Sequence, residues 1–424
     1  MGLAVRLGLG LGLATKGLYD ISIAWYGLTW DSNTDTYTRL GTLADYTTDY
    51  NNTFMPYSNV PDELLPIQRG IKRCMLKDDG TVNYWLDPNN STKKADGTDA
   101  VLDGTDGQMM SYIPAHWWKY EYSGGKHYWF VSPTSISGWE YFPGGYVGSF
   151  EAAMYDSSAG GIVAAADITT SMYASGDKLV SLPNVYPKTN EMRSEYRAAA
   201  AERGRGWVQQ DNYLYAALAR LAIIEYGDLN LQARIGMGRT ELSGGAWEAD
   251  SYISACGLSL SDGNGTNSVS NGGTSYATDY MTYRGVENLW GHIWKFLDGV
   301  NIHNSTANGS RLYLCEDPAN YADNTDENYT LAGNLAEDDG YGGDFVPTPK
   351  GFYPSTVGAS SSTKLSDYYY TSFDSTPDDG WRVALAGGYA LNGGVAGVFD
   401  VYSHYVSASD NAYIGARLCF RNIG

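Results

Sequence analysis

A mixed α+β fold in which β-structure dominates is the class this sequence predicts, and three observations carry that expectation. Of 424 residues, 51 are glycine and 36 tyrosine, while only 18% are charged. Tyrosine beside plentiful Gly, Asn, Ser, Thr and Asp favours strands joined by many turns and long ordered loops over helix bundles. Apolar alternation of period two recurs along the chain, and two stretches carry paired helix start and stop signals. The 43% hydrophobic content is enough to bury a sizeable core, spread over roughly two or three domains.

The elements follow in order. Residues 1–25 hold Leu7-Gly8-Leu9-Gly10-Leu11-Gly12-Leu13, a period-two run that predicts a strand with one apolar face and one glycine face open to close approach. It suits an attachment segment and lacks the small-residue cleavage site of a signal peptide. Residues 26–104 predict a small β-rich domain. There Cys74-Met75-Leu76 and Thr81-Val82-Asn83-Tyr84-Trp85-Leu86 flank the turn Lys77-Asp78-Asp79-Gly80, a hairpin signal. Residues 90–107 read as a polar loop and a candidate domain joint.

From 105 to 424 the texture changes. MMSYIPAHWWKYEY, KHYWFVS and YVGSFEAAMY predict strands dense in aromatics. TNEMRSEYRAAAAERG predicts a helix with Thr189 as N-cap and Gly204 as C-cap. DNYLYAALARLAIIEYG predicts a second, capped by Asp211, striped by Leu214, Leu218, Leu221 and Ile224, and stopped at Gly227. Residues 228–380, rich in Gly, Asn, Ser and Asp, predict ordered loops punctuated by short strands.

Several function classes are disfavoured. A net charge of −20 makes phosphate backbones and anionic membrane surfaces poor partners, so no nucleic acid is expected. No run approaches the roughly 18 apolar residues of a membrane span, so no membrane insertion is expected. Cys74, Cys256, Cys315 and Cys419 lie far apart and predict free, buried thiols, as in a protein folded in a bacterial cytosol. Among His116, His127, His292, His303 and His404, none pairs at zinc-ligand spacing, and no metal site is expected. His292 reads as a core or turn histidine and His404 as a surface one. Neither a GxSxG elbow nor a Walker loop is present, and LGLGLGL lacks the strand-then-helix setting of a dinucleotide fingerprint.

Two segments carry a resemblance. YRGVENLWGHIWKFLDGVNI (Tyr283 to Ile302) resembles the GLYDMSGNVWEW element of C-type lectin folds of the formylglycine-generating-enzyme type. The closing GWRVALAGGYALNGGVAGVF…IGARLCF resembles the last strands of that fold. It is similar to the frame GG-x-x-x-NGG-x-AG-x-F…NIGARL of bacteriophage tail-fibre and receptor-binding proteins and of variable proteins of diversity-generating retroelements. Gly387, Gly388, Asn392, Gly393, Gly394, Ala396, Gly397, Phe399, Ile414, Gly415, Ala416 and Arg417 carry the match. The upstream LPIQRGIKRCML…VNYWLDP also looks like a portion common in such proteins of gut-bacterial phages. The resemblance implies a C-type lectin-like ligand-binding domain over 105–424: a twisted antiparallel sheet, two flanking helices and long ordered loops.

Glycine and alanine in the frame allow close approach, while Val398, Phe399 and Leu418 suit a core and Trp290, Trp294 and Phe296 suit the layer beneath. The gaps in the variable region, about 387–420, are Tyr389, Leu391, Val395, Asp400, Tyr402, His404, Tyr405, Asp410 and Tyr413. They are expected to face outward as the ligand-binding residues. Retroelement mutagenesis acts on adenines, so an Asn codon ending in a pyrimidine can yield Tyr, Asp, His, Val or Leu but never Lys, Glu, Gln, Met or Trp. Between Tyr389 and Tyr413 none of those five occurs.

The resembled fold also includes oxidases that use a reactive cysteine pair near the last strands. Here that region holds Cys419 alone, and no enzyme activity is expected. The clusters Asp323–Asn328 and Glu337–Asp339 offer oxygen ligands to calcium, but without ordered EF-hand spacing they read as solvated loops and no cofactor is expected. The resemblance therefore implies a non-enzymatic phage tail or fibre protein, located on the virion and acting at the host surface. Its partners would be a bacterial surface receptor (a glycan or outer-membrane protein), other virion tail proteins and copies of itself, a trimer by analogy. A cell-surface adhesin of the same fold and a purely structural virion protein are the alternatives.

Overall fold

Hairpins build most of this molecule, and long-range strand pairs then knit them together. The computed structural model describes residues 25–48, 58–242, 252–271, 278–373 and 379–422. The attachment segment expected over 1–25 lies outside these residues apart from Trp25. The class is mixed α+β, with strands far outnumbering helices among the described residues.

Three larger sheets hold the structure. The first is antiparallel, in the order Thr36–Gly41, Tyr26–Asp31, Lys126–Ser132, His116–Ser123 and Glu140–Phe142. The second runs Trp207–Gln209, Leu418–Arg421, Gly145–Gly148, Gln108–Ile113, Lys72–Leu76, Val82–Asp87 and Asn90–Lys94. The third centres on the long strand Trp294–Ser305, flanked by Gly309–Leu314 and Gly380–Ala386. It continues through Val401–Ser403 and Tyr368–Thr371, which pair in parallel, to Gly340–Phe345 and Pro354–Val357.

The hairpin at Lys77–Gly80 forms where the turn residues place it, with Gly80 at φ 80° and Lys77 N–H donating to Thr81 O at 2.9 Å. The expected boundary at 104 corresponds to no break in the sheets. Lys72–Leu76 pairs with Gln108–Ile113, and Tyr26–Asp31 pairs with Lys126–Ser132, so residues 26–104 share both sheets with the chain beyond. The polar run 90–107 is likewise no simple loop. It contains the strand Asn90–Lys94 and tight turns in which Asp96 and Asp103 accept from Thr98 and Thr105.

The second expected helix forms as Asn212–Tyr226, with Asp211 Oδ1 accepting from Leu214 N–H at 2.9 Å and Gly227 closing it at φ 68°. The structure alters one detail: the helix is buried all round rather than along a stripe, with 14 of its 15 residues out of solvent. It is therefore a core rod. Burying each Leu or Ile contributes about 1.5–3 kcal/mol, and Tyr215 Oη donates from this rod to Val398 O at 2.7 Å, anchoring the C-terminal frame. The first helix runs Arg193–Ala201 and is capped by Glu195 accepting from Met192 N–H at 2.8 Å, not by Thr189. Thr189 instead bridges to Gly415.

Beneath the frame lies a buried charged network. Arg417 donates to the carbonyls of Gly148, Glu287 and Asn288 at 2.8, 2.6 and 2.8 Å, stapling the closing segment to two other elements. Trp290, Trp294, Phe296, Val398, Phe399 and Leu418 are buried, as expected, and so are the four free cysteines.

Candidate ligand-binding face

The geometry of the C-terminal frame begins with glycines that admit no side chain. Gly388 has φ 71°, and a Cβ there would lie 2.6 Å from both Ala396 Cβ and Asp400 Oδ2. Gly397 faces Asp367 so closely that a Cβ would meet Oδ1 at 2.1 Å. Backbone bonds then tie the frame to its surroundings: Gly393 N–H to Thr240 O at 2.7 Å, Gly291 N–H to Gly387 O at 2.8 Å, and Ala390 N–H to His292 O at 3.1 Å.

On this frame the nine expected site residues part company. Tyr389 is buried, with 4% of its surface exposed, and Asp400 is buried completely. Both correct the expectation that every gap faces solvent. Gly387 and Gly388 turn the chain so that Tyr389 tucks against Trp294 and Tyr413, with ring centroids at 6.5 and 5.3 Å. Asp400 lies under the turn beside Gly388, where no hydrogen-bond partner among the described residues reaches either carboxylate oxygen. Burial, and then the neighbouring Asp367, push its pKa well above the usual carboxylate range. Leu391 and Val395 are half-buried, and Leu391 packs against the cluster of Leu242, Tyr252 and Ala390.

Tyr402, His404, Tyr405 and Tyr413 are half-buried and form one surface. Alternation within Val401–Ser403 turns Val401 and Ser403 inward and Tyr402 outward. The same alternation in Tyr368–Thr371 turns Tyr369 and Thr371 inward and leaves Tyr368 and Tyr370 outward. Register places Tyr370 directly beside Tyr402, with centroids 5.1 Å apart. Tyr405 stacks on Tyr402 at 5.0 Å, His404 lies 4.9 Å from the same ring, and the hydroxyls of Tyr405 and Tyr413 share a hydrogen bond. Tyr368 and Tyr341 extend the row, at 4.6 Å from Tyr370 and 5.2 Å from Tyr368 respectively. Buried Trp294 underlies it, 5.5 Å from Tyr402.

Tyr341, Tyr368 and Tyr370 were not among the expected residues. For Tyr368 and Tyr370 the signal was their i, i+2 spacing in DYYYT, which puts two rings on one face of any strand; Tyr341 carried none, and strand pairing alone brings the three to the row. Burial raises the pKa of Tyr370, Tyr402 and Tyr413, and pushes Tyr389 up to about 12. The row presents hydroxyls and π-faces along one surface. At its rim, His404 Nε2 and Asp339 Oδ1 lie 3.8 Å apart. Asp410 is exposed on the adjoining loop.

Asp323 and one buried cluster have internal partners. Asp323, from the first acidic run, accepts from Arg193 and Arg197 at 2.8 Å each, and the two guanidinium groups outweigh burial and hold its pKa low. Glu151, Cys256 and His292 place ligand atoms within 4.8 Å of one another, a grouping invisible in sequence. Glu151 already accepts from Lys295 and from His292 Nδ1, while Ser254 N–H donates to His292 Nε2 at 3.1 Å. Both imidazole nitrogens are thus engaged, and the cluster acts as a structural brace. No protein-family model matches this chain, and no curated protein matches it.

Proposed function

We propose that this chain is a non-enzymatic receptor-binding protein of a bacteriophage tail, with a C-type lectin-like scaffold presenting a diversified face to a bacterial surface glycan or protein. The observation that carries this reading is the contiguous row Tyr370, Tyr402, Tyr405 and Tyr413 with His404, held half-exposed on a glycine-tied frame. Tyrosine gives wide amphipathic contact at low entropic cost, and a rigid frame reduces the ordering lost on binding. The helices Arg193–Ala201 and Asn212–Tyr226 beside a mainly antiparallel sheet are consistent with that scaffold. Individual contacts of this kind are weak, so several copies on one particle would supply the avidity.

The test is binding of labelled full-length protein to a panel of intact bacterial strains. The expected result is binding to a subset of strains, lost in the triple variant Tyr402→Ala, Tyr405→Ala, Tyr413→Ala while a cooperative thermal transition persists. Equal binding by the triple variant would remove the face from the mechanism. Sequencing the surrounding genome bears on diversification: a reverse transcriptase gene with a near-identical template repeat is expected, and its absence would leave a fixed binding face.

A further inference from the structure

A second aromatic surface lies on the outer face of the five-stranded sheet, in residues the tyrosine row does not use. Strand alternation explains it. Within Lys126–Ser132 the side chains of His127, Trp129 and Val131 turn to the core, which leaves Tyr128 and Phe130 on the other side. Within His116–Ser123, His116 and Trp118 are buried, and Trp117, Lys119 and Glu121 share the outer side. Register sets Lys119 directly opposite Phe130 and Glu121 opposite Tyr128.

Trp25 and Trp139 complete the wall. Their rings meet Phe130 at 5.7 Å and 70° and at 5.9 Å and 48°, so three aromatic planes stand at angles around one space. Trp25, Lys119, Glu121, Phe130 and Trp139 line a notch of about 190 Å³. Its polar edge is the Lys119–Glu121 ion pair at 2.5 Å, with side chains 39% and 50% exposed. An ion pair so exposed contributes little to stability, because water screens it. It can therefore open towards a ligand at little cost.

We propose that this notch is a second binding site, for one ring of an uncharged glycan. A pyranose is itself two-sided: its axial C–H groups form an apolar face suited to an indole or phenyl ring, and its equatorial hydroxyls need donors and acceptors at the edge. Phe130, Trp25 and Trp139 offer the first, and the Lys119 ammonium and Glu121 carboxylate offer donors and acceptors for the second. The edge pair is neutral as a unit, and the chain carries a net charge of −20, so an uncharged sugar suits the notch better than an acidic one. The site stands independently of the tyrosine row.

Saturation-transfer NMR on the full-length chain, with cellotriose, maltotriose and laminaritriose as probes, tests the proposal. At least one trisaccharide is expected to show saturable transfer, strongest on the C–H protons of one ring face. Trp139→Ala should weaken that binding about tenfold, the scale of one aromatic contact, and Trp139→Phe should restore most of it. In a Tyr402→Ala background, Trp139→Ala should weaken the remaining transfer by the same factor. Three results would overturn the site: no transfer from any probe, transfer that survives both Trp139→Ala and Phe130→Leu, or transfer abolished by Tyr402→Ala. Sedimentation gives a further decision. Wild-type oligomers that dissociate in Trp139→Ala would assign the face to contact between copies instead.

Discussion

Lys295 Nζ donates to Glu151 Oε1 across 3.1 Å, and neither side chain reaches solvent. Lys295 also donates to the carbonyls of Asn288 and Gly291 at 3.2 and 3.1 Å. Since Gly291 N–H holds Gly387 O, the pair braces the entry to the C-terminal frame. Burial alone would raise the pKa of Glu151, but the charges of His292 and Lys295 outweigh it and hold the group at about 2. Lys295→Met strands a buried carboxylate and is expected to cost about 3–5 kcal/mol in urea denaturation. Adding Glu151→Gln removes the stranded charge and should recover part of that loss. A cost below about 1 kcal/mol would mean that water reaches the pair.

Asp400 predicts the opposite pH response. Its folded-state pKa is raised by burial and then by Asp367, which is itself raised by burial. The neutral carboxyl is the form the fold prefers. The stabilisation is fully present below the unfolded value, near pH 4, and is lost as pH rises through the folded pKa, by up to about 1.4 kcal/mol per pH unit for one proton. Asp400→Asn keeps the shape without the charge. Thermal melts at pH 5 and pH 8 should show the wild type losing more stability than Asp400→Asn over that interval. Identical pH slopes for the two proteins would show that Asp400 ionises freely in the fold.

These two residues also mark how far the sequence could be read. The hairpin around Lys77–Gly80 and the rod from Asp211 to Gly227 were legible because turn and cap chemistry is local. The frame glycines were legible too, since Gly388 and Gly397 answer close contacts that tolerate no Cβ. Side-chain direction within the frame was not. Residues 387–400 follow neither a period of two nor of 3.6, so nothing local distinguishes buried Asp400 from half-exposed Tyr402. Tyr341, Tyr368 and Tyr370 join the face only through strand pairing with residues 401–403 and one another's neighbours, which is tertiary information. The boundary near 104 failed for the same reason: turns rich in Asp, Gly and Thr look alike between domains and within a sheet.

The tyrosine row makes a prediction about stability as well as binding. Tyr405→Phe removes one hydroxyl hydrogen bond to Tyr413 while keeping the ring stacked on Tyr402. A single neutral hydrogen bond contributes about 0.5–1.5 kcal/mol. The expected loss in denaturant unfolding is of that size, with strain-panel binding weakened rather than abolished. Tyr402→Ala, which removes the ring that Tyr370, His404 and Tyr405 all touch, should reduce binding far more. Equal binding by both variants would show that hydroxyls, and not stacking, dominate recognition.

The frame's own rigidity can be tested by comparing two glycines a few residues apart. Gly388 and Gly393 both adopt the left-handed backbone, at φ 71° and 58°. A methyl group at Gly393 would meet nothing within 4 Å, whereas at Gly388 it would lie 2.6 Å from Ala396 Cβ and Asp400 Oδ2. Gly393→Ala should therefore cost about 1–2 kcal/mol, the conformational penalty alone. Gly388→Ala adds overpacking and should cost about 1–3 kcal/mol more. Because that collision pushes on the segment leading into Tyr402, Gly388→Ala should weaken strain-panel binding even at temperatures where it stays folded, and Gly393→Ala should not. Equal losses for the two variants would mean that the turn yields, and that the face owes its shape to the strands beneath it rather than to the frame.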